Sequence, residues 1–126
     1  MDPLFEFALS VKAVERQLEH WMTEAMRPLG ITPAQADALV VIGSAEPISL
    51  KDLGDLLIAE AGHPSRLVDR LVEAGLVTRK PSTEDRRRVA LSLTASGRRL
   101  ARRVEAATGR SFALSILPFA ITSSRM

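Results

Sequence analysis

Guanidinium groups are the chemistry this sequence concentrates. All but three of its 17 basic residues are arginine. The planar five-donor fork of arginine bonds a phosphate, or the edge of a guanine, in two places at once. Arg66 and Arg70 stand one helical turn apart, and Arg86, Arg87 and Arg88 are consecutive at the exit of a polar, turn-forming run. Rival chemistries are poorly supplied. There is no Gly-rich phosphate loop, no nucleophile beside a base and no paired-acid motif. The absence of cysteine removes disulfides, thiolate zinc sites and thiol-based redox sensing. His20 and His63 are far apart in sequence, and a lone histidine caps or packs more often than it ligates. The expectation is a non-enzyme with no cofactor and no metal.

The surrounding pattern says what positions these arginines. Ser49 suits the N-cap of a helix over Leu50–Ile58, in which Leu50, Leu53 and Leu57 recur at helical spacing. A turn over Ala59–His63 comes next. A second helix, Pro64–Ala74, places Leu67, Val68, Leu71 and Val72 on one arc and Ser65, Arg66, Asp69, Arg70 and Glu73 on the other. Pro64 suits the first helical position and Gly75 the left-handed residue past the end. Leu76–Lys80 and Arg88–Leu93 read as two short strands joined by the polar turn Pro81–Arg87. A helix-turn-helix followed by a hairpin wing, with a basic outer face, is a DNA-reading arrangement.

The rest of the chain frames this unit. Residues 1–60 hold four basic against ten acidic groups, net −6, and residues 61–126 hold thirteen against five, net +8. The second half is therefore expected to face an anion. Pro3–Arg27 predicts one long helix with Leu4, Phe7, Val11, Val14, Leu18, Trp21 and Ala25 at alternating spacings of three and four. Such a helix serves either as a dimerisation helix or as a buried scaffold, and its length in so small a protein favours the first. Thr32-Pro33-Ala34-Gln35 is a capping box with proline at the first helical position, opening an interior helix through Ala36, Leu39, Val40 and Ile42. Ile48 adds a short third strand. Thr94 caps a helix over Ala95–Ala107, with Leu100 and Val104 inward and Arg98, Arg99, Arg102 and Arg103 as a basic ridge, which also reads as ordinary surface charge. A short helix up to Leu117 begins a hydrophobic tail. No apolar run approaches the roughly 20 residues that span a bilayer, and no signal peptide is legible. A cytoplasmic protein without membrane contact is expected.

The set Ser65-Arg66-Leu67-Val68-Asp69-Arg70-Leu71, Gly75-Leu76-Val77, Glu84-Asp85-Arg86-Arg87-Arg88-Val89 and Leu91-Ser92-Leu93-Thr94-Ala95-Ser96-Gly97 resembles the multiple antibiotic resistance regulator (MarR) family of winged-helix transcription factors. The resemblance spans roughly Leu4 to Ala107. It implies a mainly α fold with a small β wing: an N-terminal dimerisation helix over residues 1–30, a winged helix-turn-helix over 31–94, and a C-terminal helical, dimerising segment over 95–126. It implies a homodimer on pseudo-palindromic operator DNA, acting as a repressor and released by a small aromatic effector. Dimer contacts are expected from Leu4, Phe7, Val11, Val14, Leu18, Phe112 and Ile116, and an effector pocket at His20 and Trp21. The sequence departs from the family after Gly109, where a hydrophobic, Pro-containing run stands in place of a long charged helix. It departs again at Gly62-His63-Pro64, where relatives commonly carry hydroxyl residues.

Groove geometry assigns expected roles. A major groove about 12 Å wide admits one helix, so Ser65 and Arg66 in its first turn approach base edges. Arg70 holds phosphate, with Asp69 orienting an arginine nearby; an ion pair within or between helices is the other role open to Asp69 and Arg70. Arg86, Arg87 and Arg88 cannot all point one way on a strand, so one or two reach the minor groove. Asp85 holds a wing arginine in place, and Arg79 and Lys80 are further phosphate contacts. A winged-helix module for protein contacts is the competing class, and it calls for a neutral or acidic outer face on the second helix.

Overall fold

The computed structural model of the chain describes residues 1–57, 63–85 and 87–109. Arg86, Phe112, Ile116, most of the Ala59–His63 turn and the hydrophobic tail lie outside the described residues. The elements run α1 (Pro3–Met26), a 3-10 turn (Arg27–Leu29), α2 (Pro33–Ala45), β1 (Ile48–Ser49), α3 (Leu50–Leu56), α4 (Pro64–Glu73), β2 (Val77–Pro81), β3 (Val89–Leu93) and α5 (Ala95–Thr108).

Helix α2 is the strut the others pack on. Its capping box forms as expected: Thr32 Oγ1 accepts from the Gln35 N–H at 3.2 Å, and Gln35 Oε1 accepts from the Thr32 N–H at 2.9 Å. Beyond that first turn Ala36, Ala38, Leu39, Val40, Val41 and Ile42 are all buried. A helix apolar on every face but that of the exposed Asp37 must be largely enclosed. One side meets Leu53 of α3, Val68 and Leu71 of α4, Val77, Leu91 and Leu93 of the sheet and Ala101 of α5. The other meets Met26 and Val104, which seats the end of α1 against α2 and α5.

The sheet is antiparallel in the order β1-β3-β2, and Leu91 of β3 stands opposite both Ile48 and Arg79. Both hairpin strands start one residue later than the sequence pattern suggests. The Leu76 N–H is taken by Leu71 O at 2.9 Å and the Gly75 N–H by Val72 O at 3.0 Å, a Schellman closure of α4 with Gly75 at φ 74°. Arg88 is used by the tip, where its N–H reaches Asp85 O and its carbonyl accepts from Ser82. Helix α3 likewise ends at Leu56 instead of Ile58, with Leu57 as its C-cap.

The start of α5 is fitted to Leu76. Thr94 Oγ1 accepts from the Gly97 N–H at 3.0 Å and donates to Gly75 O at 2.6 Å, while the Thr94 N–H donates to Leu76 O at 3.0 Å. Gly97 lies so close that an added Cβ would stand 2.1 Å from Leu76 O. The Thr-x-x-Gly part of the sequence pattern is thus a steric demand at one backbone crossing.

Helix α1 stands apart from this body. Every residue from 1 to 21 is exposed, including Leu4, Phe7, Val11, Val14, Leu18 and Trp21. The buried-scaffold alternative for α1 therefore fails within the single chain. No helix among the described residues is long and apolar enough to cross a membrane.

Gly97→Ala should destabilise the chain by about 1–3 kcal/mol, the usual cost of forcing extra atoms into a closed contact. Thermal unfolding followed by circular dichroism checks this, and an unchanged melting temperature would show that the crossing relaxes freely.

Candidate nucleic-acid interface

Burial decides which arc of α4 faces out. Val68 and Leu71 are fully buried and Leu67 nearly so, which leaves Ser65, Arg66, Asp69, Arg70 and Glu73 exposed as the spacing predicts. His63 occupies the N-cap position without a side-chain cap bond. The helix therefore opens without the hydroxyl or carboxylate acceptor that usually satisfies its first N–H groups.

Asp69 does orient an arginine, but one on another element: its Oδ1 accepts from Arg79 Nη2 of β2. The pair joins helix to strand, so neither an intrahelical nor an interhelical pairing describes it. Arg79, expected at phosphate, has its guanidinium engaged by this carboxylate. Arg66, Arg70, Lys80 and Arg87 form no ion pair among the described residues, and all four are exposed.

Side chains within the wing tip shape its backbone. Asp85 Oδ1 accepts from the Arg87 N–H at 3.0 Å, and Ser82 Oγ accepts from the Glu84 N–H at 3.2 Å. Both are short-range turn bonds of the kind these residue types favour. The Arg88 Nε stands 3.9 Å from Asp85 Oδ2, with both side chains well exposed, so that pairing is weak. Asp85 thus fixes the chain beneath Arg87 and Arg88, by accepting a backbone N–H more than by holding a guanidinium.

Glu46 was not singled out by any sequence pattern. Its Oε2 accepts from the Leu93 N–H at 2.9 Å and its Oε1 from Arg98 Nη2, tying the end of α2 to the junction of β3 and α5. Partners so distant along the chain leave no local signature. The α5 ridge is accordingly not four equivalent charges. Arg98 is paired and Arg99 donates to Ser96 Oγ at 3.0 Å, while Arg102 and Arg103 are exposed.

His20 and Trp21 are not among the residues lining the groove at α1. Both are exposed on α1. A groove of about 710 Å³ lies instead between α1 and the opening of α2, lined among others by Lys12, Arg16, Leu18, Met22, Pro33 and Leu57. Successive residues of a helix face directions 100° apart, and the groove takes the face carrying Lys12, Glu19 and Thr23. No cluster of three or more potential metal ligands occurs among the described residues.

Comparison with known proteins agrees with this geometry. The family described as winged helix DNA-binding domain matches residues 31–97, more than half of the chain. MarR of Escherichia coli is 34% identical over 87 residues, covering 69% of this chain and 60% of the relative. The chain belongs to the MarR family. The organic hydroperoxide resistance transcriptional regulator of Bacillus subtilis is 36% identical over 80 residues, covering 60% of this chain and 54% of the relative. The crystal structure of a mutant E. coli MarR complexed with operator DNA aligns with a TM-score of 0.77 at 25% identity, covering 98% of this chain and 99% of that one. The chain spans only 54% to 60% of the length of these two curated MarR-family relatives.

Replacing Asp85 by alanine should release the tip while leaving the body intact. Amide hydrogen exchange should quicken at Arg87, and Leu91 and Leu93 in β3 should keep their protection. Equal protection at Arg87 in both proteins would remove Asp85 from its assigned place.

Proposed function

We propose that this chain is a DNA-binding transcriptional regulator of the MarR type, a cytoplasmic repressor that sits as a homodimer on pseudo-palindromic operator DNA. The observation that carries the reading is the exposed arc of α4, where Arg66 and Arg70 are engaged by no acid among the described residues and Ser65 opens the helix. Ser65, Arg66 and Arg70 disfavour the protein-contact alternative, while Asp69 and Glu73 bring the same arc to formal neutrality.

In this reading α4 enters the major groove by its N-terminal turn. Ser65 and Arg66 meet base edges, with Arg66 bonding a guanine O6 and N7 together. Arg70, one turn back, bonds phosphate. The wing carries Arg87, and with it Arg86 or Arg88, to the adjacent minor groove, whose narrow A·T tracts hold enhanced negative potential. Lys80 adds a phosphate contact from the strand. Two such units on one duplex place their helices about 34 Å apart, one turn of DNA.

The exposed stripe Leu4, Phe7, Val11, Val14 and Leu18 supports the homodimer, because a contiguous apolar face of this extent is seldom left in water. A small aromatic acid serving as effector would find Lys12 and Arg16 in the α1–α2 groove, alongside the acids Glu15, Glu19 and Asp37.

Affinity for duplex DNA, measured by fluorescence anisotropy, should fall roughly a thousand-fold between about 50 and 200 mM salt if the dimer makes some six phosphate contacts. A flat dependence would contradict the reading. Arg66→Ala should relax sequence preference, whereas Arg87→Ala should weaken binding to every sequence. Similar small effects from both would undo the assigned roles. Leu18→Glu should halve the solution mass by sedimentation, and an unchanged mass would place the dimer contact elsewhere.

A further inference from the structure

Asp69 is an acid on a surface offered to a polyanion. Standing among Ser65, Arg66 and Arg70 on the exposed arc of α4, its carboxylate repels phosphate and offsets part of their attraction. Its engagement with Arg79 also withdraws one guanidinium from the duplex. By charge alone, the pair is a loss on both sides. Its stabilising value is small as well, since the two side chains are 52% and 40% exposed.

The place of Arg79 along the hairpin suggests what the pair does. Strand β2 leaves the closure of α4 at Val77, which is 2% exposed, and Arg79 is paired in register with Leu91, which is 1% exposed. Beyond that rung lie Lys80 and Pro81, opposite Ala90 and Val89, and Lys80, Pro81 and Val89 are exposed. Arg79 therefore stands at the rung where the wing leaves the core. The tip projects some four residues further, about 13 Å at 3.3 Å per residue. A tilt of about 10° at this rung would move the tip by about 2 Å, a large shift against a minor groove about 6 Å wide.

We infer that Asp69 is a positioning residue: through Arg79 it sets the angle of the wing against the recognition helix, and so determines sequence preference without touching a base. This rests on the DNA-binding reading above. The pair makes major-groove and minor-groove contacts compatible on one duplex. A chain lacking it keeps its cationic surface but fits a preferred site no better than a tilted one.

The sign of a single substitution separates this from simple electrostatics. The full chain is used to select a preferred duplex from a random-sequence pool. Affinities for that duplex and for an unselected duplex of equal length are then measured for wild type, Asp69→Ala, Arg79→Ala and the double variant. The ratio of the two affinities should fall about three- to five-fold in Asp69→Ala, the most that losing one exposed ion pair supplies, while binding to the unselected duplex holds or tightens. Arg79→Ala should lower the ratio equally, and the double variant no further, because each change breaks the same link. Asp69→Glu, which keeps a carboxylate near Arg79, should recover most of the ratio, and unchanged melting temperatures would exclude a folding defect. Tighter binding of Asp69→Ala to both duplexes with the ratio preserved, or additive losses in the double variant, would overturn the inference. A wild-type chain that enriches no sequence would instead overturn the DNA-binding reading and this inference with it.

Discussion

Leu67, Val68 and Leu71 can reach the core only if the opposite arc of their helix faces water, and that arc bears Arg66, Asp69 and Arg70. Turning α4 by half a revolution would drive guanidinium groups into an apolar interior that holds no buried acid among the described residues, at a large cost. The orientation of the arginine-bearing arc is therefore a by-product of burying three aliphatic side chains. Leu76 then sets the path of the wing and of α5. Its N–H closes α4, its carbonyl accepts from Thr94, and Gly97 packs against that same carbonyl. Helix α4, the wing and α5 radiate from this one residue, so the Gly-Leu-Val and Leu-Thr-x-x-Gly strings are two halves of a single crossing.

Features that depend on near neighbours were legible in the sequence. The capping box of Thr32 and Gln35, the N-caps at Ser49 and Thr94 and the amphipathic arc of α4 all rest on interactions within a turn or on a simple periodicity. Features that depend on folding were not. Asp69 is ten residues from Arg79, and Glu46 is 47 from Leu93 and 52 from Arg98. Nothing in the composition around an acid announces which distant N–H or guanidinium will arrive beside it. The one-residue delay of both strands has the same origin, since Leu76 and Arg88 are claimed by the helix closure and the tip turn before pairing can use them.

The charges obey a similar division between local and global logic. The +8 of residues 61–126 reads as one basic half, yet the fold sorts it. Arg79 and Arg98 are drawn into contacts with Asp69 and Glu46 that hold elements together, Arg88 leans weakly on Asp85, and Arg66, Arg70 and Arg87 remain unengaged by acids among the described residues. Long apolar residues on α1 carry the complementary message. A stripe from Leu4 to Leu18 is exposed on the single chain, and it is the face that the proposed homodimer would cover.

The decisive question is which surface meets DNA. Backbone amide shifts of the labelled full chain, followed by NMR during titration with duplex DNA, address this most directly. Perturbations concentrated in residues 63–73 and 79–89, with α1 and the Arg98–Arg103 ridge silent, are the predicted result. A map centred on that ridge, with α4 unmoved, would contradict it.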